Sequence, residues 1–250
     1  EDAVFVYYTT ERDNRLVRMA FDGTRVSNPQ PLITGLDTAF NHHGGAVVRG
    51  PDGYLYVAVG DAAQPDLAQD VNALNGKILR VDDAGRPAPD NPFDNEVWSM
   101  GHRNNEGLAF DAAGRLWASE FGQDRSDELN LIVRGGNYGW PEFEGASDDP
   151  GFISPVATWS PGEASPAGLA IIGGQAYMAA LHGRRLWRIP LGDASADSGV
   201  GDPRGLFTDA YGRLRAVAAA PDGSLWMSTS NTDGRGRPAP GDDRILRVAV

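Results

Sequence analysis

The sequence has 250 residues, no cysteine, 32 glycines and 17 prolines, and 34 acidic against 22 basic side chains give it a formal charge of −12. That composition excludes a disulfide framework and a thiolate metal site, and its acidic balance excludes the clustered positive surface that nucleic acid requires. No run of 18 apolar residues occurs, so no membrane-spanning helix is expected, and the opening EDAVFVYYTT lacks the basic-then-apolar pattern of a signal peptide. Lys77 is the only lysine; every other basic side chain is arginine. Guanidinium forks suit bidentate binding of carboxylates, and a GC-rich genome produces the same bias.

In chain order, five segments repeat one pattern: EDAVFVYYTTE (1–11), PDGYLYVAVGD (51–61), AAGRLWASEFG (112–122), IGGQAYMAALH (172–182) and PDGSLWMSTSN (221–231), with starts 50, 61, 60 and 49 residues apart. Each reads as a turn followed by period-2 alternation, the mark of a strand. A second apolar strand follows each: NRLVRM from Asn14, GKILRV from Gly76, DELNLI from Asp127, RRLWRI from Arg184 and DRILRV from Asp243. Four are preceded by a short strand of small residues: GGAVV at Gly44, GLAF at Gly107, GLAII at Gly168 and RAVAA at Arg215. A 50–60-residue period of this grammar predicts an all-β protein, a β-propeller, with the glycine-bearing strand innermost where bulky side chains would collide. No stretch sustains a helical period, and a β-sandwich would not repeat the same grammar five times. The first repeat starts at its second strand. The expectation is therefore a single propeller domain over 1–250 with about five repeats, incomplete at its N-terminal side.

In a propeller the entrances to the inner strands face one channel mouth, so the residues there are comparable. They read Asn-His-His at 41–43, Gly-His-Arg-Asn at 101–104, Glu-Ala-Ser-Pro at 163–166 and Gly-Arg-Leu-Arg at 212–215, polar groups expected to converge on one ligand pocket. Period 2 places Arg213 and Arg215 on one side of their strand, suiting an anion with several carboxylates or, equally, pairing with the chain's own acids. His43 and His102 are read as solvated loop side chains. His42 is different, because Asp61 ends the hairpin strand of the same blade and could orient the imidazole as a base. Carboxylates and Gly-rich loops at 119–123, 127–130 and 137–141 supply the hard oxygens calcium prefers. Their spacing is no EF-hand, and acidic loops are ordinary in so acidic a chain.

The blocks NHHGG at Asn41, GKILRV at Gly76, DNPF at Asp90, WSMGHRNNEGLAF at Trp98, SEFGQDRSDELN at Ser119, NYGWP at Asn137 and RLRAVAAAPDG at Arg213 stand in an order that resembles the soluble PQQ-dependent glucose and aldose sugar dehydrogenases. The resemblance implies a six-bladed propeller with further residues upstream holding the first blade. It also implies pyrroloquinoline quinone (PQQ) and Ca2+ as cofactors, and oxidation of the C1 hydroxyl of aldoses to lactones. It assigns His42 as general base, Asp61 as its supporting carboxylate, and Arg103 with Asn104 to the quinone's reactive carbonyl, Arg103 taking part in catalysis. Arg213 and Arg215 would clamp the cofactor's carboxylates. The carbonyls of Gly122 and Gln123 would hold the cofactor-bound calcium, and Asp127, Glu128 and the backbone oxygen of Tyr138 a structural calcium. His182 stands beside the cofactor where the family often has Lys, and Phe121 replaces a polar residue of some members. An aldose substrate, an unnamed electron acceptor and a secreted, periplasmic or cell-surface location are implied in the same way. Two competing readings are a calcium-dependent lactonase-like hydrolase working through metal-bound water, and a non-catalytic propeller that binds a sugar or a protein.

Overall fold

A computed structural model of the chain describes residues 2–193 and 199–249. Among them are five antiparallel sheets, in all of which strands adjacent in sequence are adjacent in space. These meanders are the blades of a β-propeller, and the described residues are all-β apart from one short 3-10 helix at Pro65–Ala68. No helix among the described residues is long and apolar enough to cross a membrane.

The chain divides into two compact units. Unit 1 takes residues 1–105, 133–143 and 149–153. Its first sheet is β1 (Asp2–Thr9), β2 (Asn14–Phe21) and β3 (Val26–Leu36); its second is β4 (Gly44–Arg49), β5 (Leu55–Val59), β6 (Lys77–Val81) and β7 (Val97–Met100). β5 is buried along its whole length, as its LYVAV composition requires of a strand covered on both faces. Leu16, Ile33 and Leu36 of the first sheet meet Leu55, Val57, Leu79 and Val97 of the second in one core.

Unit 2 takes residues 106–132, 144–148 and 154–250. Its sheets are β8 (Asn105–Phe110), β9 (Leu116–Glu120), β10 (Asp127–Ile132) and β11 (Ala157–Trp159); then β12 (Pro166–Ile172), β13 (Gln175–Ala180), β14 (Arg185–Pro190) and β15 (Arg204–Leu206); then β16 (Leu214–Ala219), β17 (Leu225–Thr229) and β18 (Ile245–Val248). Trp117, Leu129, Met178 and Ile189 pack in one core, and Leu186, Leu214, Leu225 and Met227 in a second. Burying side chains such as Met178 and Leu129 completely contributes about 1.5–3 kcal/mol each.

The small first strands have the reason expected of them. A Cβ on Gly107 of β8 would lie 2.6 Å from the Ala167 carbonyl and 2.7 Å from the Leu169 N of β12. A Cβ on Gly168 of β12 would lie 2.8 Å from the Val217 N of β16. Neighbouring inner strands approach so closely that only hydrogen fits.

The outer strands β3, β7, β11 and β15 were not located by sequence. β11 and β15 have three residues each, and β3 contains two prolines and three register shifts against β2. An outermost strand pairs along one edge, so it needs neither length nor regular alternation. The lone lysine is internal. Lys77 is fully buried, and its Nζ donates to the carbonyls of Leu67 (2.6 Å), Ala68 (3.0 Å) and Asn75 (2.9 Å). It thereby caps the C-terminal end of the 3-10 helix, and burial pulls its pKa down to about 8.

Candidate functional site

The candidate base is built in unit 1 from the loop before β4 and the end of β5. His42 has φ 59°, a left-handed conformation that a residue with a side chain holds only when its surroundings fix it. Here its carbonyl accepts the Ala62 N–H at 3.1 Å, and Gly60 lies against the same carbonyl so closely that a Cβ would collide with it. The His42 Nδ1 lies 2.8 Å from Asp61 Oδ1. Asp61 is fully buried; its Oδ1 also accepts the Ala63 N–H at 2.8 Å, and its Oδ2 accepts the Trp140 indole N–H at 2.8 Å. Facing a carboxylate whose oxygens all receive N–H groups, the imidazole carries its proton on Nδ1 and leaves the Nε2 lone pair free to accept one. The Arg103 guanidinium lies over the Trp140 ring, 5.4 Å from its centroid, a cation–π contact that ties the second expected catalytic residue to the same indole. The Arg103 carbonyl accepts the Asp61 N–H at 2.9 Å. Asn104 is buried, and its Oδ1 accepts the N–H of Gly44 at 2.9 Å, pinning the start of β4.

His43 and His102 differ from the solvated reading. His102 is fully buried, stacked on Tyr138 at 4.7 Å between centroids, with its Nε2 2.8 Å from the Ser99 hydroxyl. His43 is partly buried beside Thr38, and its carbonyl accepts the Tyr7 hydroxyl at 2.9 Å. Both hold structure, because the loops that carry them fold back onto neighbouring strands.

The expected clamp lies in unit 2, where Arg213 and Arg215 line a cavity of about 430 Å³ together with His182, Arg235, Glu106 and Asp233, and Phe121 forms part of its apolar wall. The two guanidiniums share one carboxylate: Arg213 Nε and Nη2 each donate to Asp233 Oδ2 at 3.0 Å, and Arg215 Nη2 lies 3.7 Å from the same atom. Arg215 Nη1 also donates to Glu106 at 3.0 Å. Burial works against the Asp233 charge, but the Arg235 N–H and the Arg213 guanidinium outweigh it and hold the carboxyl below its ordinary value. The arginines thus pair with the chain's own acids, the second of the two expectations, and in doing so line a cavity. Three arginines against two carboxylates leave that lining net positive. Asp233, Arg235 and Glu106 were missed by sequence, since nothing in the strand pattern marks a loop after β17 as returning to β16.

The calcium residues divide. Gly122 and Gln123 lie in a loop whose amides point inward: Gly122 N–H bonds Asp127 Oδ1 at 3.1 Å, and Gln123 N–H bonds Glu144 Oε1 at 2.6 Å. Asp127 is fully buried and its second oxygen accepts the Ser165 N–H at 2.6 Å, so both of its oxygens bind backbone. Glu128 accepts the Gly145 N–H at 2.8 Å and the Asn130 side-chain amide at 3.0 Å; burial, then neighbouring Glu120, push its pKa up. Tyr138 belongs to unit 1, where its hydroxyl accepts the Val133 N–H at 2.9 Å. No group of three or more His, Cys, Asp or Glu among the described residues could hold a metal.

The repeated blades and the residues gathered above make an all-β propeller with a hydrogen-bonded His42–Asp61 pair in one unit and an arginine-lined cavity in the other. The glucose/sorbosone dehydrogenase family matches residues 1–246, and the chain belongs to that family. The chain is similar to the solved PQQ-bound aldose sugar dehydrogenase of Streptomyces coelicolor, with 49% identity and a TM-score of 0.93 over 98% of this chain and 74% of that one. It is 30% identical to the aldose sugar dehydrogenase YliI of Escherichia coli (strain K12), over 92% of this chain and 71% of that protein. To the quinoprotein glucose dehydrogenase B of Acinetobacter calcoaceticus it is 37% identical, over 51% of this chain and 31% of that protein. The chain thus spans from about a third to about three quarters of the length of these relatives.

Proposed function

We propose that the chain oxidises the C1 hydroxyl of aldose sugars to lactones with PQQ and Ca2+. The observation that carries the reading is the hydrogen-bonded run from His42 through Asp61 to Trp140, which fixes one imidazole tautomer and ends on the indole that the Arg103 guanidinium covers. When bound, the quinone supplies a two-electron acceptor and the calcium a Lewis acid. The residues fit such a group: a tricarboxylate suits the net positive lining around Arg213, Arg215 and Arg235, and backbone carbonyls are donors of the hard type calcium takes.

His42 Nε2 accepts the proton of the sugar hydroxyl, and the Asp61 carboxylate stabilises the imidazolium that forms. Trp140 keeps Asp61 from turning away. Arg103 and Asn104 would hold the cofactor at its reactive carbonyl, and the Arg103 charge would stabilise negative charge developing there. Arg213 and Arg215 would hold the cofactor's carboxylates, and His182 would add a donor in the same cavity. Calcium is assigned to the carbonyls of Gly122 and Gln123. Asp127 and Glu128, whose carboxylates already bind backbone and Asn130, are given no metal here. The reading carries with it export from the cytoplasm and an external electron acceptor.

The test is a titration of the 250-residue chain with PQQ and calcium, followed by absorbance. Stoichiometric, calcium-dependent binding with bleaching of the quinone band by an aldose is expected. A His42→Ala chain is expected to bind PQQ normally and to lose turnover; near wild-type turnover would remove the base assignment.

A further inference from the structure

The loop that follows β9 is wrapped around carboxylates of its own unit. The N–H of Gly122 donates to Asp127 Oδ1 at 3.1 Å. The next four, those of Gln123, Asp124, Arg125 and Ser126, all donate to a single atom, Glu144 Oε1, at 2.6, 2.9, 2.9 and 3.1 Å. Such a run of convergent amides is an anion-binding nest, here filled by a side chain from 18 to 21 residues further along. Glycine is required at 122, since a Cβ there would collide with the Ser126 carbonyl and lie 2.6 Å from Glu144 Oε1.

The orientation of the carbonyls follows from the amides. A trans peptide is planar, so each C=O points opposite to the N–H of the residue after it. With the N–H groups of Gln123 and Asp124 aimed at Glu144, the carbonyls of Gly122 and Gln123 are aimed away from it. Without the Glu144 acceptor, four consecutive N–H groups would be free to turn outward, and the loop would present donors that attract anions and repel a cation.

We propose that Glu144 is a positioning residue for calcium: by drawing the amides of residues 123–126 onto its carboxylate it turns the Gly122 and Gln123 carbonyls outward as cation ligands, while itself making no bond to the ion. The proposal rests on the reading that calcium binds those two carbonyls. It adds a residue that lies outside every block by which the chain resembles its family.

The experiment measures Ca2+ affinity of the 250-residue chain with PQQ present, by calorimetry and by Tb3+ luminescence, with urea unfolding run in parallel. The chains compared are wild type, Glu144→Ala, Glu144→Gln and, as a surface-charge control, Glu142→Ala. Glu144→Ala is expected to weaken Ca2+ at least tenfold. Glu144→Gln, which keeps an acceptor oxygen without the charge, is expected to recover part of that loss, and Glu142→Ala to leave affinity unchanged. A folded Glu144→Ala chain with wild-type Ca2+ affinity overturns the proposal, even if its urea midpoint has fallen. Should Glu144→Ala fail to fold, Glu144→Gln decides by the same criterion. Absence of Ca2+ binding by the wild-type chain overturns the calcium reading itself and is seen before any variant is made.

Discussion

Asp61→Asn changes one atom group at the centre of the proposed base dyad, and its consequence can be worked from three hydrogen bonds. Asp61 Oδ1 receives His42 Nδ1–H and the Ala63 N–H, and Oδ2 receives the Trp140 indole N–H, each at 2.8 Å. An asparagine offers one acceptor and one donor group to these three donors. If its oxygen faces His42, its NH2 meets the Trp140 N–H in a fully buried place, and leaving such donors unpaired costs about 1–3 kcal/mol each. If its NH2 faces His42, it donates to Nδ1, drives the ring proton onto Nε2 and removes the lone pair that accepts the sugar's proton. General-base catalysis contributes about 10²–10⁴-fold, so turnover is expected to fall by at least about 100-fold while PQQ affinity stays within about twofold of wild type. Stability is expected to fall by about 1–3 kcal/mol in urea. The double variant Asp61→Asn/Trp140→Phe takes away the opposing indole donor, lets the amide oxygen turn to His42, and is expected to regain part of both losses. Steady-state oxidation of an aldose by the PQQ- and calcium-loaded chain, with urea unfolding of each variant, checks this. An Asp61→Asn chain of unchanged turnover and stability would refute the dyad, and failure of the second substitution to restore anything would refute the role given to Trp140.

Gly60→Ala, which drives a methyl into the His42 carbonyl, is expected to lower stability by about 1–3 kcal/mol and to cut turnover by displacing His42; an active, equally stable variant would show that the His42 backbone is not held there. Arg213→Ala removes a charge-assisted fork from the cavity and is expected to weaken PQQ by about 10–100-fold in the same absorbance titration, while Arg18→Ala on β2 leaves it unchanged. Lys77 has a folded pKa of about 8 against an ordinary 10.5, so between those values the unfolded chain binds more protons and the folded chain gains stability as pH rises. The gain is on the order of 3 kcal/mol. Urea midpoints of wild type at pH 7.5, 8.5 and 9.5 are expected to rise in that order relative to Lys77→Met, and parallel curves for the two chains would show that Lys77 is not buried as a charge.

Much of the blade plan and part of the site could be read locally. Arg213 and Arg215 lie two residues apart on one strand, so period 2 alone puts them on one side. His42 and Asp61 are joined by a single hairpin, and the pairing of β4 with β5 carries one towards the other. Trp140 is 79 residues from the carboxylate it binds, and the five amides that meet Asp127 and Glu144 form no periodic pattern at all. His102 shows the limit from the other side: its flanking Gly101 and Arg103 look like loop, yet the ring lies fully buried against Tyr138.

The sequence by itself determined the strands, their hairpin turns, the glycines of the inner strands and the pairing of His42 with its nearest carboxylate, Asp61. Each of these follows from residues within one hairpin, where alternation and turn chemistry act directly on neighbouring backbone. Tertiary structure alone decided which partners complete them: Trp140 behind Asp61, Asp233 and Glu106 between the arginines, Glu144 inside the loop of Gly122, and three carbonyls around Lys77. Those groups meet because buried donors and acceptors must find partners once packed strands exclude water. That requirement operates on distance in space, and leaves no trace in the spacing of residues along the chain.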